Sequence, residues 1–185
     1  MKTVCLLGSP RVRGNSAVLA TRYCETAEKL GSEIQTFTLN KLSYRGCQAC
    51  MTCKTKLDKC VLEDDLTHVL DAIREADVLV ITTPVYFGEV SGQFKGFIDR
   101  TFSYLAADHS SRLSPGKKLV FIQTQAEADQ SKFADIFPRY ESAFKWYGFA
   151  ETYLVRACGV YDKGEAEARE DLMRLAEETA EKVMA

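Results

Sequence analysis

The sequence has no long hydrophobic run. No stretch approaches the roughly 20 apolar residues that a bilayer span requires, so no membrane-crossing helix is expected. Charge of one sign is also missing: 24 Lys and Arg stand against 26 Asp and Glu, a formal net charge of -2. A balance this even gives no electrostatic reason to expect a nucleic acid or an anionic membrane surface as partner. Residues 1–8 start a strand at once and lack the long apolar region of a secretory leader, and the odd, clustered cysteine count reads as a reducing compartment, so the expected location is the cytoplasm. Histidine is scarce, with only His68 and His109. His68 is expected on the solvent face of a helix, and His109 in a loop, at the surface rather than against a substrate. No nucleophile–His–Asp constellation can be assembled from them. The chain also lacks an internal repeat, a low-complexity segment and a linker. An even cysteine count is absent too: there are seven, and four of them fall within fourteen positions, unlike a secreted disulfide framework.

What the chain does have is alternation. At 185 residues and 46% apolar composition, it suits one domain, 1–185, with one sizeable core. Apolar runs at 4–7, 33–39, 78–81, 119–122 and 153–157 read as five strands. Helical periodicity falls at 15–30, 64–75, 91–105, 131–147 (kinked or restarted at Pro138) and 164–183. The run Val78-Leu79-Val80-Ile81 is apolar at every position, as a strand buried on both faces would be. The expected class is therefore a doubly wound α/β domain. It has a five-stranded parallel sheet in the order 2-1-3-4-5, with helices on both faces. Two long connections interrupt the pattern, 40–63 and 106–116, and long loops in compact domains are usually functional.

Strand one runs into Gly8-Ser9-Pro10-Arg11-Val12-Arg13-Gly14-Asn15-Ser16, and a helix follows. A helix N-terminus offers free N–H groups and partial positive charge to a phosphate. Ser9, Asn15 and Ser16 add short polar side chains, Arg11 adds a fork of donors, and Gly14 allows a tight turn. The loop matches neither G-x-G-x-x-G nor a Walker motif. The competing structural role for Asn15 or Ser16 is a helix cap. Strand three ends in Thr82-Thr83-Pro84-Val85-Tyr86-Phe87-Gly88, which the 2-1-3-4-5 order sets beside the first loop. Tyr86 and Phe87 offer flat surfaces there, Val85 to Gly88 offer backbone groups, and Pro84 stiffens the entry. Both aromatics would serve equally as ordinary core or dimer-interface side chains.

Together, Gly8-Ser9-Pro10-Arg11-x-x-Gly14-Asn15-Ser16 and Pro84-Val85-Tyr86-Phe87-Gly88-x-x-Ser91-Gly92-Gln93-x-Lys95-x-x-x-Asp99-Arg100 resemble the NAD(P)H-dependent FMN reductase family. The motif Cys47-x2-Cys50-x2-Cys53-x6-Cys60 is similar to that of its iron–sulfur flavoprotein branch. The resemblance implies a flavodoxin-like fold, non-covalent FMN, and a homodimer or dimer of dimers with the flavin near the subunit interface. By position it assigns the phosphate to Ser9, Arg11, Asn15 and Ser16, and the ring to Pro84, Val85, Tyr86, Phe87 and Gly88. After strand four the family often has a small Gly-rich stretch touching the flavin. Here it is Gln123-Thr124-Gln125-Ala126-Glu127, with Gln123 and Thr124 in the contact positions.

The cysteine spacing lets one loop wrap the corners of a 4Fe-4S cluster. Zinc is the rival, although its structural sites usually use two separated pairs. Free or oxidised thiols are the third alternative. Cys5, Cys24 and Cys158 fall inside regular elements and are expected to be small buried thiols. Asp64 and Asp65 are expected to serve a helix start, and Asp99-Arg100 an ion pair or interface. The expected activity is electron transfer from NAD(P)H or a reduced carrier, through FMN, to a quinone, an oxygen species or an iron–sulfur centre. The acceptor would be a small molecule or a redox protein. The alternative is a non-enzymatic electron carrier, disfavoured by the lack of an acidic surplus.

Overall fold

The computed structural model describes all 185 residues. Five strands run parallel: β1 (Lys2–Leu7), β2 (Glu33–Thr38), β3 (Val78–Tyr86), β5 (Lys117–Gln125) and β6 (Phe149–Cys158). Their order is β2-β1-β3-β5-β6, which is the expected 2-1-3-4-5 sheet. A short extra strand, β4 (Glu89–Val90), folds back antiparallel on the end of β3. Six helices accompany them: α1 (Asn15–Lys29), α2 (Thr52–Thr55), α3 (Asp65–Glu75), α4 (Gly92–Arg100), α5 (Ile136–Trp146) and α6 (Glu170–Met184). None is long and apolar enough to cross a membrane.

The central strands are buried on both faces, and their side chains alternate between two cores. Val4, Leu6, Leu79, Ile81, Leu119 and Phe121 face α3, α4 and α5. Cys5, Val78, Val80, Val120 and Ile122 face α1 and α6. Each fully buried Leu, Ile or Phe contributes about 1.5–3 kcal/mol, so the two layers hold the sheet between them.

Several boundaries differ from the periodicity. β3 runs on through Thr82, Thr83 and Pro84 to Tyr86, so the second motif is a strand end rather than a loop. Thr83 and Pro84 pair with Gln123 and Thr124 of β5. Phe87 and Gly88 then make a two-residue hairpin turn, with φ of 49° and 81°. Both values lie in the left-handed region that such turns require. α5 begins at Ile136, which puts Pro138 in the first turn, where its missing N–H costs little and no kink follows. α4 stops at Arg100 and continues as a 3-10 turn, Thr101–Tyr104. α6 starts six residues later than the periodicity suggests, and the turn before it is tied to Asn15 at residues 162 and 166. The Asn15 amide nitrogen donates to the Asp162 carbonyl (2.9 Å), and its Oδ1 accepts from the Ala166 amide (3.1 Å). Between β2 and α3 the chain is irregular apart from the 3-10 turn Leu39–Lys41 and the single turn of α2.

Candidate functional site

The β1–α1 loop is locked against the end of β3. The Gly8 amide donates to the Thr82 carbonyl (3.0 Å), and a Cβ at Gly8 would stand 2.4 Å from that oxygen. Only glycine permits that approach. Ser91, the N-cap of α4, donates its hydroxyl to the Gly8 carbonyl (2.6 Å) and accepts from the Phe94 amide (3.2 Å). The two motif regions are thereby fixed side by side, at the C-terminal ends of the strands.

Neither Asn15 nor Ser16 caps α1. The N-cap is Gly14, which has no side chain to offer. The amides of Asn15, Ser16 and Ala17 consequently have no acceptor. Ser16 is buried, and its Oγ has no hydrogen-bond partner. A buried hydroxyl left unpaired costs free energy. Three free N–H groups and a free O–H at the positive end of a 15-residue helix make a site for an anion. Ser9 stands beside them, with its Oγ accepting from the Arg11 amide (3.1 Å).

These groups open into a cleft of about 100 Å³. Its walls bring together Ser9, Arg11, Gly14, Asn15 and Ser16 from the first motif, Pro84, Val85 and Tyr86 from the second, and Thr124 from β5. Gln125 and Ala126, from the stretch after the fourth parallel strand, and Val160 and Tyr161, which no motif marks, complete it. Arg11 is turned to the wall: its guanidinium donates to the Tyr161 carbonyl (2.7 Å) and lies over the Tyr161 ring, 5.5 Å from its centre.

Three expected contacts lie outside the lining. Phe87 and Gly88 form the hairpin tip, and the Phe87 ring is fully exposed. Gln123 is buried, and its amide nitrogen is committed to Gln125 Oε1 (3.1 Å) and the Phe133 carbonyl (3.2 Å). Those bonds hold it on the α5 side of the sheet, beside Phe133. A roomier hollow of about 350 Å³ lies across the same loop, with Arg13, Arg22 and Lys41 on its walls. Gly14, Asn15 and Ser16 are not part of it, so the free amides serve the smaller cleft.

The second assembly is built around Cys47, Cys50, Cys53 and Cys60. All four line one hollow, together with Arg100 and Phe102. Cys47 and Cys50 are exposed, whereas Cys53 and Cys60 are half-buried. Ala49 and Met51 adopt left-handed backbone (φ 51° and 58°), which curls the loop around the hollow. The Ala49 amide points at the Cys47 sulfur (3.5 Å). Hydrogen bonds from the Thr52 side chain and amide lower the Cys50 pKa, which favours its thiolate. The thiols are not gathered about one point, as a single metal ion would demand. The four sulfurs share the lining of one small hollow, of about 20 Å³.

Arg100 is the charged residue in the lining of this hollow. Its side chain has no exposed surface. It donates in bidentate fashion to Asp64 (Nη1 to Oδ2, 2.7 Å; Nη2 to Oδ1, 3.2 Å). Burial alone would raise the Asp64 pKa, but hydrogen bonds from Arg100 and the Arg45 amide outweigh it and hold the carboxyl below its ordinary value. Asp64 is also the N-cap of α3, in a reciprocal capping box with Thr67. Asp99, by contrast, pairs with Lys95 on the same helix. Lys54, next to Cys53, reaches the carbonyls of Phe102 and Leu105 (2.5 Å each).

The remaining candidates lie elsewhere. Cys5 is buried; its contact with Cys24, and then burial itself, push its pKa well up, which keeps it a thiol. Cys24 and Cys158 are half-buried. His68 is exposed on α3. His109 is exposed and stacks on Trp146, ring centres 5.9 Å apart, where α5 leads into the start of β6. That is the end of the sheet opposite the cleft.

The model of the NADPH-dependent FMN reductase family matches residues 1–136. An iron-sulfur flavoprotein of Archaeoglobus fulgidus is 34% identical over 104 residues, covering 56% of this chain and 47% of that protein. The chain spans about half the length of the curated relatives it matches. Among solved structures, an NAD(P)H:quinone oxidoreductase from Methanothermobacter marburgensis superposes with a TM-score of 0.78 at 15% identity, covering 100% of this chain and 98% of that one. An FMN-dependent NADH-azoreductase from Bacillus anthracis gives 0.77 at 16% identity, with 100% of both chains covered. At such identities the likeness establishes a shared flavodoxin-like fold. The match over residues 1–136, which contains both loop motifs and all four clustered cysteines, means that the chain belongs to the NADPH-dependent FMN reductase family.

Proposed function

We propose that the chain is an FMN-dependent oxidoreductase that takes electrons from NAD(P)H and delivers them to a small acceptor of the quinone class. We further propose that Cys47, Cys50, Cys53 and Cys60 hold a 4Fe-4S cluster as a second redox centre. The observation that carries the reading is the unpartnered Ser16 hydroxyl beside three acceptor-free amides, in a cleft walled by Tyr86 and Thr124. A phosphate monoester seated there satisfies all four donors. FMN, when bound, supplies the hydride and single-electron chemistry that no side chain here provides.

The protein's own part is binding and orientation. The helix end and Ser9 hold the phosphate, and the Arg11–Tyr161 wall closes one side of the cleft. Tyr86 at the rim meets the flat ring, with Phe87 beyond it on the hairpin tip. An exposed aromatic next to the flavin position supports a second copy of the chain covering it.

The test is anaerobic purification and reconstitution, followed by an absorption spectrum, an iron assay, FMN titration of the apoprotein, and steady-state oxidation of NADH and NADPH with a quinone. We expect one FMN per chain, a broad visible shoulder beyond the flavin bands and about four irons per chain. Alanine at any one of the four cysteines should strip the iron and leave the FMN. Protein that binds FMN but turns over neither nicotinamide would be an electron carrier instead. Protein that binds flavin but no iron would be a plain flavin reductase.

A further inference from the structure

The buried guanidinium of Arg100 has an arrangement that a helix-end ion pair does not require. Nη1 donates to the Arg45 carbonyl (2.7 Å) as well as to Asp64, and Nη2 donates to the Leu62 carbonyl (3.2 Å) as well as to Asp64. Arg45 lies two residues before Cys47, and Leu62 two residues after Cys60. One side chain therefore ties together the two stems of the cysteine loop and anchors both to α4. Four of its five N–H groups are used in doing so. The fifth, Nε–H, is buried and has no partner. Arg100 lines the same hollow as the four thiols. A charged, fully buried group with one unmet donor, on the wall of a sulfur-lined hollow, calls for an acceptor inside that hollow.

We propose that Arg100 is the positioning residue of the cysteine site. It clamps the loop at Arg45 and Leu62 so that the four thiols face one space, and it reserves Nε–H for the sulfur of Cys60 or of the cluster that Cys60 ligates. The second half of this rests on the cluster reading above, whereas the clamp does not. A cationic donor to cluster sulfur stabilises the reduced, more negative form and raises the reduction potential. Lys54 supports the same geometry from the other side. Its ammonium pins α2, and with it Cys53, to the carbonyls of Phe102 and Leu105 just beyond Arg100. The loop is thus fastened at its stems and at its middle to one short stretch of chain, residues 100–105.

The test compares wild type with Arg100→Lys, which keeps the charge but loses the fork and Nε–H. In iron-free protein with FMN bound, hydrogen exchange of amides 45–62 should quicken at least tenfold in the variant, with exchange of the β1–α1 loop unchanged. In reconstituted protein the variant should hold less iron, or hold its cluster at a lower potential, with FMN content unaltered. Loop exchange, iron and potential all equal to wild type would overturn the proposal. A measurement on unsubstituted protein guards against a variant that fails to fold. With arginine labelled with ¹⁵N at Nε, the slowly exchanging Arg100 Nε–H resonance should shift or broaden when iron is loaded, and an unmoved resonance would overturn the hydrogen bond. If wild type takes up no iron, the cluster reading falls, and the exchange experiment still decides the clamp.

Discussion

The cleft and the cysteine hollow hold their groups in position by different means. In the cleft the sheet does it: the Gly8 amide is bonded to β3, Ser91 ties α4 to the Gly8 carbonyl, and the free amides belong to a regular helix. Such a site survives the loss of most single side chains, because its donors are backbone. The hollow has no ladder behind it. Its backbone is irregular, two of its residues sit in left-handed conformations, and its stems meet at one guanidinium balanced by one carboxylate. A preorganised backbone makes a site robust; a side-chain clamp makes one that a single substitution can open.

The largest expected effect breaks the clamp. Asp64→Ala leaves Arg100 buried without its counter-ion and removes the cap of α3, and should cost about 3–5 kcal/mol in denaturant unfolding. A cost under about 1 kcal/mol would mean that Arg100 does not depend on its partner. The same pair sets an acid limit. Because the folded-state pKa of Asp64 is depressed, its contribution is fully present above the unfolded value of about 4 and is lost as pH falls through the folded value. Asp64→Asn should therefore flatten the stability profile below about pH 4 relative to wild type.

Next comes the backbone of the cleft. Gly8→Ala drives a methyl into the Thr82 carbonyl and should cost about 2 kcal/mol of stability, together with weaker FMN binding. Ser16→Ala should behave in the opposite sense in the apoprotein. It removes an unpaired buried hydroxyl, so apo stability should hold or rise. FMN affinity should nevertheless fall about tenfold, equivalent to about 1.4 kcal/mol, measured by titration. Equal affinity would place the phosphate elsewhere. Arg11→Ala is the smallest: an exposed side chain already spent on Tyr161 should change affinity about twofold.

Most of this architecture is legible in the sequence, because period-2 burial and 3.6-residue faces are strong signals. Val78 to Ile81 announces a doubly buried strand, and Asp64 announces a helix start. The two loop motifs also stand out, since their residue types are those that backbone-lined anion sites use. What is not legible depends on tertiary contact. Thr82-Thr83-Pro84 reads as a loop but pairs as a strand, because β5 runs alongside all three and β1 reaches Thr82. Tyr161 walls the cleft through a carbonyl and a ring that no spacing marks. Arg100 reads as part of an ion pair or interface, but its partner Asp64 lies 36 residues away and no spacing marks it. Gln123 looks like a cleft residue, but its side chain is committed to Gln125 and Phe133.

One contact bears on how such a chain can diverge. The Asn15 side chain joins the phosphate loop to residues 162 and 166, far beyond the point where the family match stops at residue 136. Both of its partners there are main-chain atoms. The side chains at 162 and 166 can therefore change without breaking this link, provided the backbone still turns at that place. A chimera joined in the turn before α5 should keep its cleft if Asn15 and the turn before α6 are retained, and lose it if the turn is shortened.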